Sequence, residues 1–557
     1  MVNIPGRSKG CLTCRRRKVK CDEGKPTCQR CHKGNHDCQG YPHPLRVVFD
    51  RSCAEVPPGK EGEASSSKAA ERTNESNRLA VSRSVSRSLS RTPSNEEVVD
   101  VQRELASRPF LREPGLSPLR DDIYSSFLVK NLLVHLDIGQ DAILSAFEKR
   151  SPTTDDSVQA LAMAFYGRLH RQDEICQQGA VWYGKALRKL SRDLTDPNHV
   201  WSTSIVLSTA TLAMYEFVTS TRMTPWIQHA GGVGRLIEAR GPWRHQSPEE
   251  LRLFKAVRPM IAARATNHGT RCFLEELDWR TIPWNLDPSQ KASHDHLTDF
   301  ACALPGLLED RKYLKIARLA DFATSTSAAK LKAFKITSFA VPPSTADRER
   351  APRTRQEYQS LVTALEGRVS ESARALQDWK NTWDESSPAY SAVGLVPSQP
   401  LSYDLPIDLF GPALHFPDLQ HANTYTLYNM ILFHLLGISI EIRYGWLSPN
   451  AFSSTTSSTL PTAYVSPSQS ADIPADLALK RRETAIEICR AVPYHLWFEK
   501  HGSAGAYLLM WPLISALQLF IPPWTETPAP EAQWIKGVLR HIAERWGLGS
   551  MFLAEEE

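Results

Sequence analysis

The chain has 557 residues, and its 66 Lys or Arg and 61 Asp or Glu leave a net charge of only +5. That length is ample for two or three packed units. The opening residues, MVNIPGRSKG, contain no apolar run, so we expect no secretory signal peptide and predict reduced cysteines. Ten Lys or Arg and three Asp or Glu fall in residues 1–40, so the basic excess is concentrated there.

The first predicted element along the chain is a cysteine motif. Cys-x2-Cys-x6-Cys occurs twice, the second copy 17 residues after the first, in a 28-residue span with almost no apolar side chains. A segment without a hydrophobic core must be held by disulfides or by metal. Six thiolates satisfy two tetrahedral zinc ions if two sulfurs are shared. The six candidate ligands are Cys11, Cys14, Cys21, Cys28, Cys31 and Cys38.

Two alternatives to this assignment concern the same motif. Six cysteines also permit fifteen disulfide pairings. That alternative fits poorly, because the other five cysteines are scattered singly, as reduced thiols would be. His32 and His36 lie inside the motif and could ligate metal, but with six thiolates in register we expect exposed loop residues.

A basic run follows the second cysteine. Arg15-Arg16-Arg17-Lys18-Val19-Lys20 places five cations in six positions. Cations clustered on a metal-fixed scaffold suit phosphate binding, with the strong salt dependence that counterion release produces. The plainer interpretation is a solvated basic face or a nuclear import signal, and the import signal is compatible with DNA binding.

The cysteine spacing, the basic run, Lys25-Pro26 and Gly40-Tyr41 together resemble the fungal zinc binuclear cluster family of transcription regulators, over about residues 8–41. The resemblance implies two zinc ions per chain, with Cys11 and Cys28 as the bridging ligands. It also implies a short helix that begins at Cys14 and enters the DNA major groove, where the family commonly reads CGG-type triplets.

The same resemblance assigns roles to the cations. Lys18 falls on the family's base-reading lysine, which would donate to guanine N7 and O6, and Arg17 beside it would contact a base or a phosphate. Phosphate anchors position the module without specifying sequence, and Arg30 and Lys33 would touch the DNA backbone. The predicted phosphate anchors are Lys9, Arg15, Arg16 and Lys20.

Residues 42–117 are predicted to be a linker, mostly disordered and Ser/Arg-rich. The stretch Ser82–Ser94 repeats Ser-Arg-Ser or Ser-Arg-Thr and cannot bury enough surface to offset the entropy of ordering. Its spacing also suits kinases that require an upstream arginine, but a flexible tether is the simpler interpretation. Since no heptad run follows the cysteines, the chain would bind DNA as a monomer or form a homodimer through its large domain.

Residues 118–557 are predicted to be one all-α domain, because the apolar spacing is mostly helical. Pro/Ser-rich stretches at 384–400 and 450–475 are expected to be internal loops. Pro512 and Pro522-Pro523 interrupt the most apolar segment, Ala504–Trp524, which favours a core helix over a membrane span. The predicted helices are Ile123–Phe147, Val158–Leu169, Ile175–Leu194, Val200–Val218, Trp226–Ala239, Glu249–Ala265, Tyr358–Trp383, Leu419–Tyr444, Asp476–Val492, Ala504–Phe520 and Glu531–Trp546.

Two segments of this region, His229–Pro242 and Ile486–Leu496, look like parts of the helical regulatory domain found downstream of fungal zinc clusters. Gly231, Gly232 and Gly234 fit close helix packing better than a phosphate loop, because no strand precedes them and no Gly-Lys-Ser/Thr follows. His294-Asp295-His296 has a metal-like pattern, but we expect an exposed loop there.

The sequence therefore predicts a nuclear, sequence-specific DNA-binding regulator of RNA polymerase II transcription, with zinc folding the reader and an all-α regulatory domain. Its partners would be double-stranded DNA and the transcription machinery or co-regulators, with no membrane and no catalytic residues. The rival hypothesis is a helical enzyme or ligand-binding protein whose zinc module serves protein contact.

Overall fold

A computed structural model divides the chain into two compact units, Met1–Pro114 and Gly115–Glu557. In the first unit the structure describes residues 13–14, 17, 19–22 and 28–34. In the second it describes residues 117–133, 152–197, 199–325, 344–386, 391–393, 407–443, 475–497, 502–521 and 529–552. The predicted linker lies almost wholly outside these residues.

The described part of the first unit holds one short helix, α1, at Gln29–Lys33, while Thr13 and Cys14 are also helical. The second unit is mostly helical, as predicted. Its α-helices are α2 (Ser117–Leu128), α3 (Pro152–Leu169), α4 (Asp173–Asp193), α5 (Thr203–Thr219), α6 (Met223–Arg240), α7 (Pro248–His268), α8 (Leu277–Thr281), α9 (Ser293–Ser325), α10 (Thr345–Arg350), α11 (Arg355–Ser386), α12 (Leu419–Arg443), α13 (Ala475–Trp497), α14 (Gly502–Leu517) and α15 (Pro530–Trp546).

Local sequence signals set several helix ends. Pro248 occupies the first position of α7, where its missing N–H costs nothing, and Gly269 ends the helix in the left-handed conformation. Ser344 and Asp347 form a capping box at the start of α10. These ends agree with elementary helix-capping chemistry.

Helix pairs enclose a continuous apolar core in the second unit. Helix α3 packs on α4 and α5, α5 packs on α6, and α12 packs on α13 and α14. Phe165, Phe254, Tyr358 and Phe433 are among the largest fully buried side chains of this core. The glycines of α6 lie at such a packing surface, since a Cβ at Gly232 would touch Thr209 of α5 and one at Gly234 would touch Ile261 of α7. This confirms the packing interpretation of the glycines.

A small antiparallel sheet interrupts the helices. Strand β1 (Ser391–Val393) pairs with β2 (Ala413–His415), with Ala392 opposite Leu414. β1 falls inside the stretch predicted as a loop, and residues 384–386 still belong to α11, so that prediction is wrong over both segments. The second predicted loop, 450–475, lies outside the described residues apart from its final residue, which begins α13.

Ten of the eleven predicted helices match observed helices to within six residues at each end. The eleventh, Ile123–Phe147, corresponds to α2 and a π-helical turn at Val129–Leu133, and the residues after 133 are not described. The 33-residue helix α9 was not predicted. Pro305 lies within it, and an interior proline normally argues against a helix.

The start of α9 corrects the prediction for His294-Asp295-His296, which belongs to the first turn of this helix and is not a loop. His296 is exposed as expected. Asp295, however, is buried and forms an ion pair with Lys255, with 2.8 Å between Oδ2 and Nζ.

Among the described helices, only α12 has the length and composition to cross a membrane, and 83% of its most apolar 18-residue window is buried within the structure. Burial of this kind is expected of the central helix of a packed bundle. The shorter apolar helix α14 is largely buried too, in agreement with its prediction as a core helix.

Candidate metal centre and nucleic-acid interface

Three of the predicted metal ligands meet at one point in the first unit. The Sγ atom of Cys14 lies 3.7 Å from that of Cys28 and 3.7 Å from that of Cys31, and all three side chains are fully buried. A disulfide would require about 2.05 Å. Two thiolates bound to one tetrahedral zinc at about 2.3 Å stand about 3.8 Å apart. The observed spacing therefore fits sulfurs arranged around metal.

A second group of donor atoms adjoins the first. The ligand atoms of Cys21, Asp22 and Cys28 also lie within 4.8 Å of one another. Cys28 belongs to both groups, so its sulfur is placed where one atom could serve two ions. Cys11 and Cys38 lie outside the described residues.

Helix α1 begins at this sulfur. Cys28 is the residue that caps the helix, and its Sγ accepts a hydrogen bond from the backbone N–H of Cys31 at 3.3 Å. A backbone N–H directed at sulfur favours the thiolate, the form that binds metal. The two-residue spacing between Cys28 and Cys31 thus brings both sulfurs to one side of a single helical turn.

The Asp22 carboxylate connects the two halves of the cysteine motif. Its two oxygens accept backbone N–H groups of Gln29 at 2.9 Å and of Arg30 at 3.0 Å. Hydrogen bonds from Arg30 and then Gln29 hold the pKa of Asp22 below its usual value. An acidic cap stabilises the positive end of a helix, and these two bonds hold Asp22 against the start of α1.

Sequence reasoning missed Asp22, and the reason is its distance along the chain. A helix cap is normally sought at the residue directly before the helix, whereas Asp22 precedes Gln29 by seven positions. Only the folded structure brings this carboxylate to the start of α1.

The described cations are accessible. Arg17 and Lys20 are exposed, as are Arg30 and Lys33 on α1. The N–H of Arg17 donates to the Thr13 carbonyl at 3.1 Å, which continues a helical turn through Cys14. His32 is exposed, as predicted, but it lies in α1 and not in a loop. The remaining predicted contacts, at Lys9, Arg15, Arg16 and Lys18, and His36 lie outside the described residues.

Comparison with known families is decisive for this segment. Residues 9–47 match the fungal Zn(2)-Cys(6) binuclear cluster domain. This part of the chain is a fungal zinc cluster domain. Such a domain takes two zinc ions, and the clustered thiols of Cys14, Cys28 and Cys31 fit that requirement. The match confirms the resemblance inferred from the motif.

Curated relatives match mainly over the zinc cluster domain. The segment is 65% identical over 34 residues to the transcriptional regulatory protein moc3 of Schizosaccharomyces pombe, which is 6% of this chain and 7% of that protein. It is 59% identical over 44 residues to the arginine metabolism regulation protein II of Saccharomyces cerevisiae, covering 7% and 5% of the two chains.

A longer match joins the chain to an uncharacterized protein of Emericella nidulans, with 28% identity over 128 residues, or 23% of this chain and 27% of that protein. The chain thus spans little more than a quarter of the length of this relative and less than a tenth of the other two. No solved structure matches the chain.

Proposed function

We propose that this protein is a nuclear, sequence-specific DNA-binding regulator of RNA polymerase II transcription that reads GC-rich, CGG-like triplets. The observation that carries the proposal is the group of buried thiols in a segment that matches the zinc cluster domain and holds a basic run. Two relatives that share this segment are named as transcriptional regulatory proteins. On this proposal the chain acts as a regulator and not as an enzyme.

The metal sites on this proposal use all six cysteines, Cys11, Cys14, Cys21, Cys28, Cys31 and Cys38, with Cys11 and Cys28 as the shared ligands. Support comes from the position of Cys28, whose sulfur belongs to both groups of donor atoms. Zinc supplies structural stability here, since four thiolates complete its tetrahedron and leave no open position for catalysis. The role of the chain is to gather those sulfurs.

The DNA contacts on this proposal divide by chemistry. Lys18 and Arg17 donate to base edges, where a guanine presents N7 and O6 as paired acceptors. Lys9, Arg15, Arg16 and Lys20 bind phosphates and set the position of the domain on the duplex. The exposure of Arg17 and Lys20 and the concentration of positive charge in residues 1–40 support contact between these cations and DNA.

The second unit would serve regulation. Its helices supply surfaces for a homodimer and for co-regulators or the transcription machinery, as in the regulatory domain that His229–Pro242 and Ile486–Leu496 resemble. No membrane contact belongs to this proposal.

Selection from randomised duplex DNA tests the proposal against its rival, a zinc module used for protein contact. The full-length chain is mixed with the DNA pool with and without a zinc chelator. We expect enrichment of a GC-rich triplet only in the metal-loaded sample. If no sequence is enriched, the result favours the rival hypothesis of a zinc module used for protein contact.

Two substitutions separate base reading from phosphate anchoring. Lys18→Ala should relax the preferred triplet and cost about 1–3 kcal/mol of binding. Arg15→Ala should weaken all DNA sequences alike and flatten the dependence on salt. Lys480→Ala, which removes an exposed cation from the second unit, is the matched control and should leave both properties unchanged. A change in the preferred triplet with Arg15→Ala would contradict its role as an anchor.

A further inference from the structure

Two arginines, Arg235 of α6 and Arg264 of α7, come together where these helices pack on each other, and we call them the arginine pair. The guanidinium of Arg264 lies against Gly231 of α6. A Cβ added to Gly231 would stand 3.3 Å from its Nε and 3.5 Å from its Nη2. The missing side chain at Gly231 therefore leaves the space in which the guanidinium of the neighbouring helix sits.

The guanidinium of Arg264 has N–H groups that a ligand can reach. Its Nε is buried and has no hydrogen-bond acceptor among the described residues. Nη1 and Nη2 have no acceptor there either, but these two nitrogens are not buried, and the side chain as a whole is half-buried. A partly desolvated charge without a partner is unfavourable. An anion at the surface would supply the missing acceptor oxygens through the two Nη groups.

Arg235 stands one helical turn after Gly231 and is exposed. Helical side chains lean toward the N-terminus of their helix, so Arg235 extends back over Gly231 and toward the guanidinium of Arg264. Burial and then the positive charge of Arg235 lower the pKa of Arg264. The helical register and this charge effect both place the two guanidinium groups close together.

The surroundings of the arginine pair bring no free negative charge from the described residues. Burial and then the charges of Arg264 and Lys312 lower the pKa of His268. The carboxylate of Asp347 is already taken, since Lys312 Nζ donates to its Oδ1 at 2.9 Å. The thiol of Cys272 is neutral, because burial raises its pKa. Two positive charges are therefore left for an anion from outside the described chain.

We propose that the arginine pair binds a phosphate group, either as the free ion or as part of a small monoester. Two fixed positive charges match the charge of about −1.5 to −2 on a phosphate monoester, and its three oxygens suit the N–H groups of two planar guanidinium forks. A single carboxylate has one negative charge and two oxygens, which satisfy the pair less fully. The site belongs to the helical unit and does not depend on how the zinc cluster domain reads DNA.

Thermal unfolding of the full-length protein tests the proposal. It is followed by circular dichroism, whose signal comes mostly from the helices of the second unit, so phosphate bound at the zinc cluster domain contributes little. Sodium phosphate, sodium acetate and sodium chloride are compared at neutral pH and equal ionic strength. A ligand that binds only the folded chain raises the Tm. Phosphate also stabilises proteins without a specific site, so binding is read from the difference between wild type and variants.

Substitutions in the arginine pair locate the site. Arg264→Gln and Arg235→Gln should each weaken phosphate binding about tenfold or more and remove most of the rise in Tm that phosphate produces over chloride. Arg264→Lys keeps the charge without the fork and should retain part of the rise. Arg374→Gln is the matched control, because Arg374 is an exposed arginine on α11, and it should retain the whole rise. Each variant is compared with itself in chloride, so a change in folding stability alone does not enter.

Two results would overturn the proposal. One is the same rise with phosphate in wild type and in both glutamine variants. The other is a rise with acetate as large as that with phosphate. Glycerol 3-phosphate distinguishes the two sources of the phosphate group: a rise at least equal to that with inorganic phosphate assigns a monoester, and a rise with inorganic phosphate alone assigns the free ion.

Discussion

The carboxylate of Glu441 provides the sharpest test of the helical unit. It is 4% exposed on α12, and its Oε2 accepts a hydrogen bond from Arg311 Nε of α9 at 2.6 Å, while Lys315 Nζ lies 3.2 Å from Oε1. Burial alone would raise the pKa of Glu441, but the charges of Arg311 and Lys315 lower it to about 2. A pKa of about 2 in the folded chain against 4.5 in the unfolded chain corresponds to about 3 kcal/mol at neutral pH.

Glu441→Gln should therefore lower the free energy of unfolding by about 3 kcal/mol at pH 7, because it removes the buried negative charge that Arg311 and Lys315 contact. Since the folded pKa is depressed, the contribution is complete above the unfolded pKa and is lost as the pH falls toward 2. The difference between wild type and variant should narrow by about 1.4 kcal/mol between pH 5.5 and pH 3.5.

Urea denaturation, monitored by circular dichroism at each pH, measures the free energy of unfolding of wild type and variant and how their difference changes with pH. Glu366→Gln is the control. The Glu366 carboxylate on α11 accepts a hydrogen bond from Nε of Arg443 on α12 at 3.0 Å, and both side chains are more than 40% exposed. Glu366→Gln should change stability by less than about 1 kcal/mol. A loss at Glu441 no larger than at Glu366, or a loss that stays constant with pH, would refute the argument.

Three further predictions concern packing and metal. Gly505→Ala should lower the free energy of unfolding by about 1–3 kcal/mol, measured by thermal or urea unfolding, because its Cβ would overlap the backbone carbonyl of His495. Gly367→Ala is the control: it has open space around it and should instead stabilise α11 by about 0.5–1 kcal/mol. Equal effects of the two substitutions would contradict the observed packing. Cys28→Ser should release both zinc ions in native mass spectrometry, and retention of one would refute a shared sulfur. Asp22→Ala keeps every thiol but should weaken zinc retention roughly tenfold against a competing chelator. Unchanged retention would show that the two hydrogen bonds that Asp22 accepts from the backbone do not organise the site.

Most helices of the second unit were predictable because each shows its own apolar period along the chain. Helix α9 was not, because its polar opening, His294-Asp295-His296, looks like a loop. The first turns of α9 form ion pairs with residues elsewhere in the chain: Lys255 of α7 pairs with Asp295, and Arg258 of α7 pairs with Asp299. Pairings between residues so far apart leave no periodic signal in the sequence.

The cysteine spacing and the basic run by themselves predicted a zinc-dependent module at about residues 8–41, because ligand geometry constrains spacing so tightly that few other chemistries satisfy it, and the family match over residues 9–47 confirms the prediction. The tertiary structure decided the parts that depend on distant residues meeting. It placed Asp22 at the start of α1 and Cys28 in both groups of donor atoms, and it paired Asp295 of α9 with Lys255 of α7. Local spacing encodes local chemistry, whereas contacts between distant residues arise only when separate elements pack together.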